Sequence, residues 1–120
     1  MNIYGEKLLD HYNNPRNFGD LEGANSTEQL ENISCGDSIK VSVKLVNGII
    51  DDIKFTGEGC AVAVGTASML FEYAKGKSVE EMKNFSLDDL LDLMGIELTM
   101  SRLKCANLSL ETLQNTLIGK

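Results

Sequence analysis

Between Ser38 and Leu45 apolar and polar residues alternate, with Ile39, Val41, Val43 and Leu45 apolar and Ser38, Lys40, Ser42 and Lys44 polar. Successive side chains of a strand point to opposite faces, so this period of two predicts a strand with one buried face. Asn47-Gly48 follows, a pair that tolerates the positive φ both central residues of a type I′ turn require. A second strand, over residues 49–56, is expected to return antiparallel, and Gly57 and Gly59 of "GEGC" allow a tight exit that leaves Cys60 at the sheet's edge.

Elsewhere the period lengthens to that of a helix. Tyr4, Leu8 and Tyr12 recur one turn apart, and Pro15 after two asparagines stops that helix. "AVAVGTASMLFEYAKG" predicts a longer helix whose small residues, Ala61, Ala63, Gly65, Ala67 and Ser68, lie close against the sheet, with Gly76 as its C-cap. Gly65 in a helix interior costs about 1 kcal/mol relative to alanine, which close backbone packing would offset. Ser78 with Glu81 fits a capping box, and Ser86 precedes "LDDLLDLMG", a stretch with acids in its first turn and Gly95 at its end. The last segment predicts a turn or two of helix around Cys105, then a further helix capped by Ser109. Residues 17–32, rich in Gly, Asn, Ser and Glu, read as loop with a weak edge strand near residues 28–33. No linker or internal repeat interrupts this order. The prediction is a single α+β domain over residues 1–120, with helices packed on a small antiparallel sheet.

Composition narrows the function classes. The chain has 120 residues, 42% of them hydrophobic and 24% charged, which suits one globular core rather than a disordered or fibrous chain. A net charge of -7 argues against nucleic-acid binding, which requires clustered Lys and Arg, and fits a basic protein partner better. No apolar run approaches the roughly 20 residues that span a bilayer, and the N-terminal residues carry acids where a signal peptide needs an apolar core. A cytoplasmic protein without membrane contact is expected. Monomer is the expected state of the apo or zinc form.

Each of the three cysteines, Cys35, Cys60 and Cys105, falls at a predicted element boundary, where side chains converge at one end of a sheet. In a reducing compartment such cysteines bind metal, act as nucleophiles or sit inertly in the core more often than they form disulfides. Cys60 stands at a predicted helix start, where backbone N–H groups favour a thiolate, and Lys104 offers Cys105 a neighbouring cation. With Asp37 the chain offers three candidate thiolates and one carboxylate. Three sulfurs and one oxygen suit a tetrahedral zinc or the two irons of a [2Fe-2S] cluster. The carboxylate is a harder and less matched ligand for such a cluster, and the consequence would be lability. On spacing alone a second reading stands equally: buried cysteines plus a turn aspartate, since Gly-Asp also makes turns. His11 is read as a structural or partner-contact residue, Met69, Met82, Met94 and Met100 as packing residues, and Glu80, Glu81, Asp88, Asp89 and Asp92 as solvated helix faces.

Four segments together resemble the IscU/NifU-type iron-sulfur cluster scaffold family, including its SufU-like branch. "DHYNNPRNFG" looks like the family's N-terminal signature, "SCGD" like its first cysteine motif, "GEGCAVAVGTASML" like its second and "RLKCANLS" like its third. The resemblance runs from residue 10 to residue 109. It implies a three-stranded antiparallel sheet and a site at one end made from Cys35, Asp37, Cys60 and Cys105. It also implies a role, in which sulfur arrives as persulfide from a cysteine desulfurase, is combined with iron into a transient [2Fe-2S] cluster, and leaves for iron-sulfur apo-proteins. Lys104 departs from the IscU pattern, which has histidine there, and matches SufU-like proteins, while the 45 positions between Cys60 and Cys105 resemble IscU spacing. The alternative implied is therefore a zinc-dependent sulfurtransferase, Zn2+ held in the same site and Cys35 accepting the persulfide sulfur. "LTMSRLKC" replaces the LPPVK segment that a dedicated Hsp70-type chaperone reads, and both prolines are absent, so recognition by that chaperone is not expected.

Overall fold

The computed structural model of the chain describes residues 5–33 and 36–120, so that Tyr4 of the first predicted helix and Cys35 lie outside the described residues. In chain order the elements are α1 (Glu6–Asn13), β1 (Ser26–Asn32), β2 (Asp37–Val46), β3 (Ile49–Glu58), α2 (Ala61–Ala74), α3 (Val79–Lys83), α4 (Leu87–Met94) and α5 (Met100–Thr116). The strands form one antiparallel sheet in the order β1-β2-β3. This is the α+β architecture that the sequence predicts.

The β2–β3 hairpin turns at Asn47 and Gly48, both at positive φ (53° and 77°). Apolar residues of β3 fall at Ile50, Ile53 and Phe55, a spacing that strict alternation cannot bring to one face. The register resolves it: Lys44 pairs with Asp52 and Leu45 with Ile50, so Asp51 is the extra residue of a bulge. All three apolar side chains are buried with Ile39, Val41 and Val43. Helices α2 and α5 cover this face. α2 is apolar almost all round, and every residue from Val62 to Phe71 is buried, as suits a helix enclosed on several sides.

Helix α1 and the segment after it close the far side of α2. A Cβ at Gly65 would lie 2.7 Å from Leu8 Cδ1 and 2.9 Å from the Leu8 carbonyl oxygen, so the glycine admits the backbone of α1. The small residue was expected to face the sheet; the close approach is helix on helix. Beyond α1, Asn17 accepts a bond from the Phe55 amide and Gly19 donates to the Phe55 carbonyl, covering the outer edge of β3.

Several expectations are corrected. β1 begins at Ser26, two residues earlier than predicted, because a polar strand lacks the alternation that would reveal it. α5 is one unbroken helix; Ser109 is buried inside it and its hydroxyl donates to the Ala106 carbonyl, so it caps nothing. α2 ends before Gly76, at a cap residue, Lys75, and the Gly76 amide bonds instead to Ile50 of β3. The reciprocal capping box forms at Ser86 and Asp89. At Ser78 the hydroxyl accepts from the Glu81 amide, while the Glu81 carboxylate accepts from the Tyr73 hydroxyl instead of closing the box. Met100, expected to pack, is 81% exposed at the start of α5.

Candidate metal centre

Strand pairing builds the site. Ser38 stands opposite Glu58, so Asp37, the first residue of β2, lies beside the exit of β3 through Gly59 into Cys60. Gly59 has φ 141°, and a Cβ there would fall on the Asp37 carboxylate, 2.8 Å from its Cγ and closer still to Oδ1. Only glycine fits. Cys60 is the N-cap residue of α2, and its side chain makes no capping bond. The Cys60 amide donates to Asp37 Oδ1 at 3.0 Å, and Cys60 Sγ lies 3.9 Å from Asp37 Oδ2.

Cys105 enters from the second turn of α5, where its thiol lies 3.9 Å from the Ser101 carbonyl oxygen. One ligand atom from each of Asp37, Cys60 and Cys105 lies within 4.8 Å of the other two. Two sulfurs on a tetrahedral zinc are about 3.8 Å apart, as follows from a Zn–S bond near 2.3 Å, so a contraction of about 1 Å would close these donors on one ion. The donor set fits a thiophilic metal. Asp37 and Cys105 are buried and Cys60 half-buried, which opens the site on the Cys60 side.

Of the four residues singled out from the sequence, three therefore converge, and the fourth, Cys35, lies outside the described residues. Lys104, next to Cys105, is exposed. A buried carboxylate without partners would be costly, but among the described residues no buried side-chain oxygen or nitrogen lacks one. Asp37 also faces the start of α2, where the helix dipole favours negative charge.

Sequence reasoning took His11 as a structural or partner-contact residue but did not find what it is anchored to. The buried ring of His11 places Nδ1 2.8 Å from Ser68 Oγ, and the Arg16 amide donates to that same oxygen at 2.9 Å. The hydroxyl, with two lone pairs and one proton, can accept from the Arg16 amide and still either donate to Nδ1 or accept from it, so the contact serves either tautomer of the ring. Burial holds the His11 pKa below its ordinary value, and the Arg16 and Lys7 charges act the same way against Glu72 and Asp10. Arg16 also pairs with Asp10, whose carboxyl its hydrogen bond holds below the usual range. The signature "DHYNNPRNFG" is thus read in part as a clamp that fixes α1 and the β3 edge to α2. Ser68, one small residue among several in α2, gives no signal of this kind in a single sequence; only the tertiary pairing shows it.

Comparisons with known proteins bear on the family and the fold. Residues 3–119 match the family described as NifU-like N terminal domain. The chain is 41% identical over 112 residues to an iron-sulfur cluster assembly scaffold protein IscU of Aquifex aeolicus, covering 92% of this chain and 71% of that one. It is 36% identical over 129 residues to the zinc-dependent sulfurtransferase SufU of Bacillus subtilis, covering 93% and 87%. A crystal structure from Fervidobacterium islandicum, described as a putative iron-sulfur cluster assembly scaffold protein for the SUF system, superposes with a TM-score of 0.84 at 25% identity over 96% of both chains.

Proposed function

The chain belongs to the NifU-like N-terminal domain family, and from that premise we propose that it is a scaffold on which a labile [2Fe-2S] cluster is assembled and from which it is passed on. The observation that carries the reading is the convergence of Asp37, Cys60 and Cys105 at one end of the sheet. Cys35, two positions before Asp37 in sequence, completes the ligand set. Residues 1–120 act as one domain, in the cytoplasm.

Sulfur enters from a cysteine desulfurase. The Cys35 thiolate attacks the outer sulfur of the partner's persulfide, the partner's S–S bond breaks, and its cysteine leaves as thiolate while Cys35 carries the persulfide. Two electrons per sulfur, drawn from ferrous iron and an external thiol or electron-transfer protein as reductant, cleave the Cys35 persulfide to thiolate and sulfide. Iron with this sulfide forms the cargo, held by three thiolates and the Asp37 carboxylate. Oxygen is the hardest donor of the set and the least matched to cluster iron, so Asp37 is the ligand at which an acceptor apo-protein gains entry. With no prolines in "LTMSRLKC", release proceeds without an Hsp70-type chaperone.

Anaerobic assembly with ferrous iron, cysteine and catalytic desulfurase tests this by visible circular dichroism. A chiral cluster signal is expected in the wild type, with transfer to an apo-ferredoxin slowed in Asp37→Ala. Assembly that persists without Cys60 or Cys105 would remove the reading.

Similarity to the zinc-dependent sulfurtransferase, with an exposed lysine before the third cysteine, favours a second reading. There Cys35, Asp37, Cys60 and Cys105 hold zinc and Cys35 relays sulfur. No cluster signal, with zinc retained and desulfurase turnover stimulated, is the outcome that selects it.

A further inference from the structure

We propose that Gly59 is a positioning residue for Asp37: the space left by its missing side chain seats the carboxylate, and the Cys60 amide ties down one oxygen so that the other alone is offered to metal. The proposal rests on the reading of Asp37, Cys60 and Cys105 as a ligand site.

Three observations meet at this point. A Cβ built at Gly59 falls 2.8 Å from Cγ of Asp37 and nearer still to Oδ1, well inside contact distance, so the carboxylate occupies the volume any other residue would fill. Oδ1 accepts the Cys60 amide hydrogen at 3.0 Å, whereas Oδ2 is the oxygen 3.9 Å from Cys60 Sγ. Asp37 is 1% exposed, so Oδ1 has no water to turn to if this bond is lost. The two oxygens therefore have separate work. Oδ1 is a latch between the start of β2 and the start of α2, and Oδ2 is a single ligand atom.

The division sets how the site empties. When Oδ2 lets go of metal, the latch keeps the carboxylate buried beside Cys60, and the site retains its shape for the next loading. Release then needs a short swing of Oδ2 about a retained bond, not an opening of the strand end. Gly57, two residues earlier, gives the contrast: a Cβ there meets Ile39 Cδ1 and the Ser38 carbonyl, at 2.7 and 2.8 Å, and none of Asp37.

A double-mutant cycle on the full chain decides it, with Zn2+ affinity read by competition against a chromophoric chelator. Gly59→Ala is expected to weaken Zn2+ binding by about 10- to 100-fold, the range seen when a group that orients a ligand is removed. In the Asp37→Ala background the same change should cost less than about 2-fold, because the residue through which it acts is gone. An equal loss in both backgrounds would mean that Gly59 serves only its backbone φ, and no loss in either would remove the role altogether. Cobalt substitution adds a spectral check: the ligand-field bands of wild type and Gly59→Ala should differ while the thiolate charge-transfer intensity is kept.

Should Gly59→Ala fail to fold, amide exchange at Cys60 in the metal-free protein decides the latch. Protection is expected in the wild type and in Asp37→Asn, whose amide oxygen still accepts, and exchange at least about 10-fold faster in Asp37→Ala. Equal rates in all three would overturn it. A wild type that binds neither Zn2+ nor Co2+ would instead sink the ligand-site reading, and the exchange result would stand apart from that failure.

Discussion

At the scale of single residues, His11 shows how a family signature can be structural rather than chemical. The imidazole meets the Ser68 hydroxyl in a buried contact, where the charge of a protonated ring is poorly solvated. Its pKa in the folded chain lies below the ordinary 6.5, burial being the largest cause. Below that value the unfolded chain takes up a proton that the folded chain does not, so stability is complete above about pH 6.5 and falls as the pH drops toward the folded value. Urea unfolding at a series of pH values should show this decline as the pH falls below about 6.5, and His11→Gln should flatten it. A decline of the same slope in the variant would place the titrating group elsewhere. Asp10 is also lowered, through its bond to Arg16, so its contribution is lost only in more acid solution than the onset of the His11 decline.

At the scale of elements, the contact between α1 and α2 is the one most sensitive to a single methyl group. Gly65→Ala forces a Cβ against the Leu8 backbone, and overpacking of this kind costs about 1–3 kcal/mol, whereas the alanine's better helix propensity returns about 1 kcal/mol at most. Net destabilisation in chemical denaturation is expected, with α1 losing amide protection first. Ser86→Ala, by contrast, removes the hydroxyl half of the α4 capping box, leaves the residue-86 amide bonded to Asp89, and should cost about 1 kcal/mol without touching the site. Legibility in the sequence followed the same divide between local and long-range causes. β2, the Asn47-Gly48 turn and the α4 caps were readable because each rests on a pattern within a few residues. α5 was expected in two pieces because Ser109 resembles a cap; its hydroxyl finds the Ala106 carbonyl instead, an option a buried helix offers and the bare sequence does not display. Three thiols at element boundaries pointed to convergence, but Gly59 as the seat of Asp37 depends on which residues β2 and β3 place opposite each other. The Asp51 bulge, unseen in the alternation, is part of that register.

At the scale of the whole molecule, the question is whether metal holds the fold together or is held by it. Domains that depend on zinc lack a core of their own, and folding and metal binding are then one event. Here Ile39, Val41, Val43, Ile53, Phe55, Leu70, Phe71, Leu110 and Leu113 are buried between the sheet, α2 and α5, and the thiol site lies at one end of that core. No described helix is long and apolar enough to cross a membrane. Apo protein should therefore stay folded on its own core. Metal would add to stability by mass action, about 2.7 kcal/mol at a free Zn2+ concentration 100 times the Kd, or a rise of roughly 10 °C in Tm for a domain of this size. Far-UV circular dichroism before and after removal of Zn2+ by a chelator should be unchanged at about 25 °C, while the Tm falls and recovers on adding the metal back. Loss of the helical signal on chelation would show instead that the zinc is structural, and would turn the reading of the site from a place where cargo is exchanged to a staple between β2, α2 and α5.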